Sequence, residues 1–208
     1  MGDGQAHGIR VEGGYSPPMG ETNQTNIEYI GPAGPTYSAH LVRVGALYNA
    51  EWDYFTLEIG AAFSLTQFIA NNQRGSAAED EPTEMGFAIV ASALWKPFQK
   101  YVGLGVRLDF DNQWLDGKWD VNAPMLYEFE NDHLGTISPM GMVRLYLDPL
   151  GVPVQISVAA GYAFRTNDVD IPGPDAASSN LQGIFADHPI VMFFVGGTIC
   201  FSNCGTTP

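Results

Sequence analysis

The chain has 208 residues, enough for one domain, and no shift in composition divides it. Its formal net charge of −14, with only nine Lys and Arg, excludes nucleic acid as a partner, because that binding needs clustered cations to displace counterions. Charged residues make up only 15% while Gly and aromatic residues abound, which points to a membrane-embedded or all-β protein; no run reaches the ~20 apolar residues of a spanning helix.

Alternation of apolar and polar residues with period two predicts eight strands, at 7–15, 39–48, 55–65, 85–95, 101–110, 136–147, 152–164 and 190–201. Each has the length of a tilted membrane-spanning strand. The connections alternate in length. "NAEWD" at 49–53, "KPFQK" at 96–100 and "DPLG" at 148–151 are tight turns. The other four are several times longer and rich in turn formers, as in "SPPMGETNQTNIEYIGPAGPT" and "NDVDIPGPDAASSN". An up-and-down barrel with tight turns at one rim and long loops at the other has this asymmetry; a soluble sandwich has no reason for it.

The two faces of these strands differ in kind. The more apolar register of each strand contains no Asp, Glu, Lys or Arg. The opposite register carries Arg10, Glu12, Arg43, Glu58, Arg107, Asp109, Arg144 and Arg165. It is also full of small residues, among them Gly45, Gly60, Ala88, Gly105, Ser157 and Gly161. A solvent face would admit Lys and Glu freely, whereas a narrow lumen needs small residues interleaved with a few long ones. Five of the six arginines fall on this side and no lysine clearly does. The planar guanidinium suits buried ion pairs better than an ammonium. The small, charged side is therefore expected inside and the apolar side against lipid. In "VQISVAAGYAF", 154–164, Val, Ile, Tyr and Phe would face out and Ser, Ala and Gly in. Aromatic residues agree: Trp52, Tyr54, Phe55, Trp95, Phe98 and Tyr101 flank the short turns, and Tyr15, Phe68, Phe110, Trp114 and Phe164 flank the long loops, as two interfacial girdles.

With eight alternating strands, alternating loop lengths and a last strand "IVMFFVGGTICF" ending in Phe201, the whole chain resembles the eight-stranded outer-membrane β-barrel proteins, the group that includes the OmpA transmembrane domain. It departs from that pattern in continuing through "SNCGTTP". The resemblance implies an all-β, eight-stranded antiparallel up-and-down transmembrane β-barrel occupying 1–208, in the outer membrane of a Gram-negative bacterium. The N-terminus lacks the basic and apolar regions of a signal peptide, so the sequence reads as a mature chain.

The lumen charges read as a structural ion-pair network that plugs the barrel, since buried charges need partners. Val90, Leu94, Met140, Met142, Ile190, Met192 and Phe194 are apolar yet inward, either as packing or as the lining of a cavity for a small hydrophobic ligand. The long loops hold sixteen acids, Glu84 and Asp111 among them, against Arg74 and Lys118, so nearly all the net charge gathers at one rim. That rim would attract cations or an extracellular partner. "DNQWLDGKWD" and "NDVDIPGPD" offer carboxylates to a divalent cation, but neither has the register of a calcium loop. Cys200 and Cys204 can pair only if the chain reverses between them. In "YSAHL", Ser38 and His40 share the lipid-side face near the outer rim. Lipid A deacylases of this barrel size place their His and Ser in the opposite order, and no carboxylate completes a triad. No phosphate loop, His cluster or paired-Cys metal motif is present, and no cofactor, metal or catalytic residue is expected. The reading is a monomeric, non-enzymatic, porin-like membrane protein with a structural or surface-interaction role. The alternatives are a narrow channel or carrier for small hydrophobic molecules and, more weakly, a lipid-acting hydrolase.

Overall fold

A computed structural model describes residues 5–17, 22–23, 36–70, 83–98, 101–120, 126–166 and 187–202. In chain order these form β1 (Ala6–Ser16), the two-residue β2 (Thr22–Asn23), β3 (Thr36–Glu51), β4 (Phe55–Ala70), β5 (Thr83–Trp95), β6 (Val102–Asp120), β7 (Leu126–Tyr146), β8 (Gln155–Arg165) and β9 (His188–Ser202). β2 is a short addition to the edge of β3. The other eight are antiparallel and each pairs with its neighbours in sequence, while β1 pairs with both β3 and β9 and so closes the sheet into a barrel. Closure removes the unpaired edges that an open sheet of this length would present.

The tight turns follow from local chemistry. Between β3 and β4 the amide of Trp52 donates to the carbonyl of Phe55 at 2.8 Å. Between β7 and β8, Asp148–Leu150 form a single 3-10 turn with Pro149 near its start, and the chain leaves it through Gly151 at φ 81°, a left-handed conformation that favours glycine. All the short turns lie at one rim, here called the short-turn rim.

All eight expected strands are present; β3 (Thr36–Glu51) and β4 (Phe55–Ala70) outrun the expected 39–48 and 55–65, and β6 and β7 reach further still. β6 has 19 residues and β7 has 21. They run into the stretch read above as a long loop, and "DNQWLDGKWD" is the second half of β6. The last contact of β6 with β5 is Asp116 opposite Thr83; from Gly117 on it pairs with β7 alone, through Gly117 with Phe129, Lys118 with Glu128 and Trp119 with Tyr127. A two-stranded ribbon thus rises above the rim. That stretch is rich in acids and turn formers, among them Asp116, Gly117, Asp120, Glu128 and Glu130, so the alternation that marks the wall does not extend into it.

Inside and outside are divided as the small-residue register implies. Glycines at several inward positions are required by the backbone itself. A Cβ on Gly86 would lie 2.0 Å from the carbonyl oxygen of Asn112, and one on Gly105 2.0 Å from that of Ala93. On the outward face a Cβ on Gly13 would meet nothing within 4 Å. A small barrel coils its strands tightly, and the concave side is where neighbouring backbones crowd.

Candidate functional site

The lumen brings together side chains scattered over 135 residues of sequence, from Arg10 to Arg144. Arg144 Nη2 donates to Glu58 Oε2 at 2.8 Å, and Arg10 Nε lies 3.7 Å from Glu58 Oε1. Arg10 also donates to Glu12 at 3.0 Å, and the other oxygen of Glu12 accepts from Arg107 Nη1 at 2.5 Å. Arg107 Nε donates to Asp109 at 2.8 Å. Asp109 is paired in turn with Arg43, whose Nη2 donates to Asp111 at 2.5 Å. The result is one unbroken string of alternating charge: Arg144, Glu58, Arg10, Glu12, Arg107, Asp109, Arg43, Asp111. Four arginines face four carboxylates, and no member is more than 8% exposed.

Strand geometry explains why the string forms. Period two puts Arg10 and Glu12, and likewise Arg107, Asp109 and Asp111, on one face of a strand, so each strand contributes neighbours of the right sign. In a barrel this narrow a seven-atom side chain reaches the opposite wall. Hydroxyls add further bonds: Ser92 donates to Glu58 at 2.6 Å, Ser64 to Asp111 at 3.0 Å, and Arg144 Nε donates to Ser157 at 3.0 Å. Two charges in a low dielectric without partners would each cost several kcal/mol, roughly the margin by which a domain is folded.

Six of the seven expected apolar lumen residues, Leu94, Met140, Met142, Ile190, Met192 and Phe194, pack together with Ala159 and Ala163 against β5 and β7–β9. Val90 belongs instead to a separate group with Leu47, Ala62 and Ala88. These side chains fill space rather than line it, for none is more than 6% exposed. They also cover the flat faces and ends of the guanidiniums. Arg107 lies 4.0 Å over the ring of Phe194, and Met192 Sδ is 3.7 Å from Arg43 Nη1.

Seven of the eight expected network residues join the string; Arg165 does not. It sits nearer the long-loop rim, donating to Thr136 at 2.9 Å and to Glu84 at 3.2 Å. Three charges were misplaced by the sequence reading. Glu84 and Asp111, taken there for loop acids, are buried in the lumen at 1% and 8% exposure. Lys96, read as a turn residue, is inward as well and donates to Glu51 at 2.6 Å by the short-turn rim. Each lies one residue beyond an expected strand end, and each keeps the inward parity of that strand: Asp109 continues to Asp111, Gly86 back to Glu84, Leu94 on to Lys96. The parity was the available signal. It was lost because the apolar partners on the other face stop sooner than the strand does, as at Asn112.

Outside, large apolar side chains stand free: Phe87, Ile89 and Val106 are 60–63% exposed. Tyr54, Phe55, Trp95, Phe98 and Tyr101 are exposed around the short turns, and Tyr15, Phe110, Trp114 and Phe164 at the other rim. The side chain of Phe68 is outside the described residues. Histidines lie among these rings. His7 accepts or donates at 2.6 Å with Tyr48 OH near one rim, and His40 at 2.9 Å with Tyr15 OH near the other. His40 is thus engaged by an aromatic neighbour, and the side chain of Ser38 is outside the described residues. Cys200 is disulfide-bonded; Cys204, the chain's only other cysteine, lies outside the described residues. So does the whole of "NDVDIPGPD", 167–175. Among the described residues no three His, Cys, Asp or Glu converge as they would on a metal ion.

The fold and its lumen define a closed eight-stranded antiparallel barrel that is polar and packed within and apolar without. No protein-family model, curated protein or solved structure matches this chain.

Proposed function

We propose that this chain is an integral outer-membrane β-barrel protein of a Gram-negative bacterium, similar to the OmpA transmembrane-domain group, and that its role is structural or in surface interaction rather than enzymatic. The observation that carries the reading is the inversion of its faces. Arginines and carboxylates are buried, while Ile, Val, Leu and Phe from every barrel strand point outward. Full burial of such a side chain is worth about 1.5–3 kcal/mol, so leaving each of these half-exposed ones in water forgoes roughly half of that. A hydrocarbon surround would remove that cost, which supports the membrane reading. The packed lumen argues against general diffusion, and leaves the acidic loops and the β6–β7 ribbon as the parts that meet other molecules, as a monomer.

The experiment is refolding into lipid vesicles, followed by electrophoresis with and without boiling and by conductance on the same sample. A heat-dependent mobility shift without steady current is the expected result. Failure to insert would sink the membrane reading. The channel alternative has one specific observation in its favour: among the described residues, Asn49 Oδ1 and Arg10 Nη2, buried toward the short-turn rim, have no hydrogen-bond partner. Discrete current steps would bring that alternative forward.

A further inference from the structure

The apolar outer wall is not uniformly raised. On β5, Ala91 and Ala93 point outward between Ile59 and Leu57 of β4 on one side and Leu108 and Val106 of β6 on the other, their direct pairing partners. Two small residues therefore form a furrow between two ridges set roughly 10 Å apart, which is two strand spacings. Its ends are closed along the same strand. Ile89, 61% exposed, stands at one end and Trp95, 50% exposed, at the other, beside the short-turn rim. Beyond the β6 ridge the wall drops again at Pro139 and Gly141. The whole concavity holds about 880 Å³, within the range of roughly 300–1,000 Å³ typical of small-molecule sites.

We propose that this furrow is a binding site for one acyl chain of a phospholipid from the leaflet on the short-turn side, held more firmly than the lipid around it. The inference rests on the membrane reading above. Chemistry favours hydrocarbon as the occupant, because the furrow's own outward side chains, Ala91, Ala93, Leu57, Ile59, Val106 and Leu108, are apolar, and the one hydroxyl at the margin of the concavity, that of Tyr48, is engaged by His7. Size argues against a second copy of the protein: a stable interface buries about 800 Å² on each partner, far more than a furrow one strand wide can offer. A chain lying over Ala91 and Ala93 touches wall on three sides, and so makes more dispersion contacts than one passing over the ridges. The stops at Ile89 and Trp95 define where it begins and ends.

The test is to refold the full chain in dimyristoylphosphatidylcholine vesicles, extract it into mild detergent and record native mass spectra. The variants are Ala91→Leu with Ala93→Leu, which fills the furrow, and Gly13→Val, which adds bulk to the distant wall at β1. Wild type and Gly13→Val should carry a phospholipid-bound peak. The double variant should lose about tenfold in bound fraction, the equivalent of about 1.4 kcal/mol, with its heat-dependent mobility shift intact. Equal retention by all three, or no lipid-bound peak in wild type, overturns the proposal. So does a dimer peak that disappears on filling the furrow, which would make a second copy the occupant. Loss of the heat shift in wild type itself would instead strike the membrane reading underneath.

Discussion

The two faces of one strand are the sharpest contrast in this molecule. Along β6, Arg107, Asp109 and Asp111 are buried and paired, while Val106, Leu108 and Phe110, each one residue away, look outward. The inner face tolerates almost no change of size or charge, because backbone and partner groups already touch it. The outer face has open space beyond its side chains, as at Gly13, and should tolerate most apolar shapes. The lesson is that in such a barrel specificity lies inside and permissiveness outside, the reverse of the charged surface and apolar core of a soluble domain.

Five substitutions, at four positions, would break or sharpen this contrast. The largest effect is expected at Arg43. Replacing it with Ala strands Asp109 and Asp111 in the lumen and should cost about 3–5 kcal/mol, read as a lower urea midpoint for loss of the heat-dependent mobility shift. Arg43→Lys should recover part of this, since the charge returns but the fork that spans two carboxylates does not. An Arg43→Ala barrel as resistant as wild type would refute the structural role of the string.

A smaller effect is expected from a single methyl group. Gly86→Ala forces Cβ to within 2.0 Å of the Asn112 carbonyl, so the wall must move, at a cost of about 1–3 kcal/mol. Gly13→Ala on the outer face has open space and should change the midpoint little. Equal penalties at the two glycines would mean that strand propensity, not the crowded inner face, governs these positions.

The smallest effect belongs to Lys96. Its partner Glu51 is about a quarter exposed at the rim, so Lys96→Gln should cost no more than about 1 kcal/mol and the loss should shrink as salt is raised. A penalty near that of Arg43→Ala would place this pair within the central network instead.

Much of this was legible before any coordinates. Period two gave strand number and order, and the absence of charge from one register told inside from outside. The same register nominated seven of the eight members of the charged string. What escaped it is instructive residue by residue. Asp111, Glu84 and Lys96 were missed because hydrophobic alternation ends before hydrogen-bonded pairing does. Arg165 was grouped with the string because parity says that a side chain is inside but not how high up the barrel it stands. The ribbon of β6 and β7 was read as loop because its acids and turn formers break the apolar alternation.

The sequence by itself therefore determined the fold class and the parity of most wall residues, since both are local consequences of two-residue periodicity; the balance of the buried charge emerged only when the structure brought Asp111 and Glu84 into the lumen. Only the tertiary structure decided who pairs with whom. Closure of β1 on β9 and the relative heights of the strands set whether Arg107 meets Glu12, or Arg43 meets Asp109, across gaps of 95 and 66 residues. The furrow at Ala91 and Ala93 is likewise a product of alignment. Two alanines in a row of outward positions mean little until the strands on both sides present larger residues at the same height.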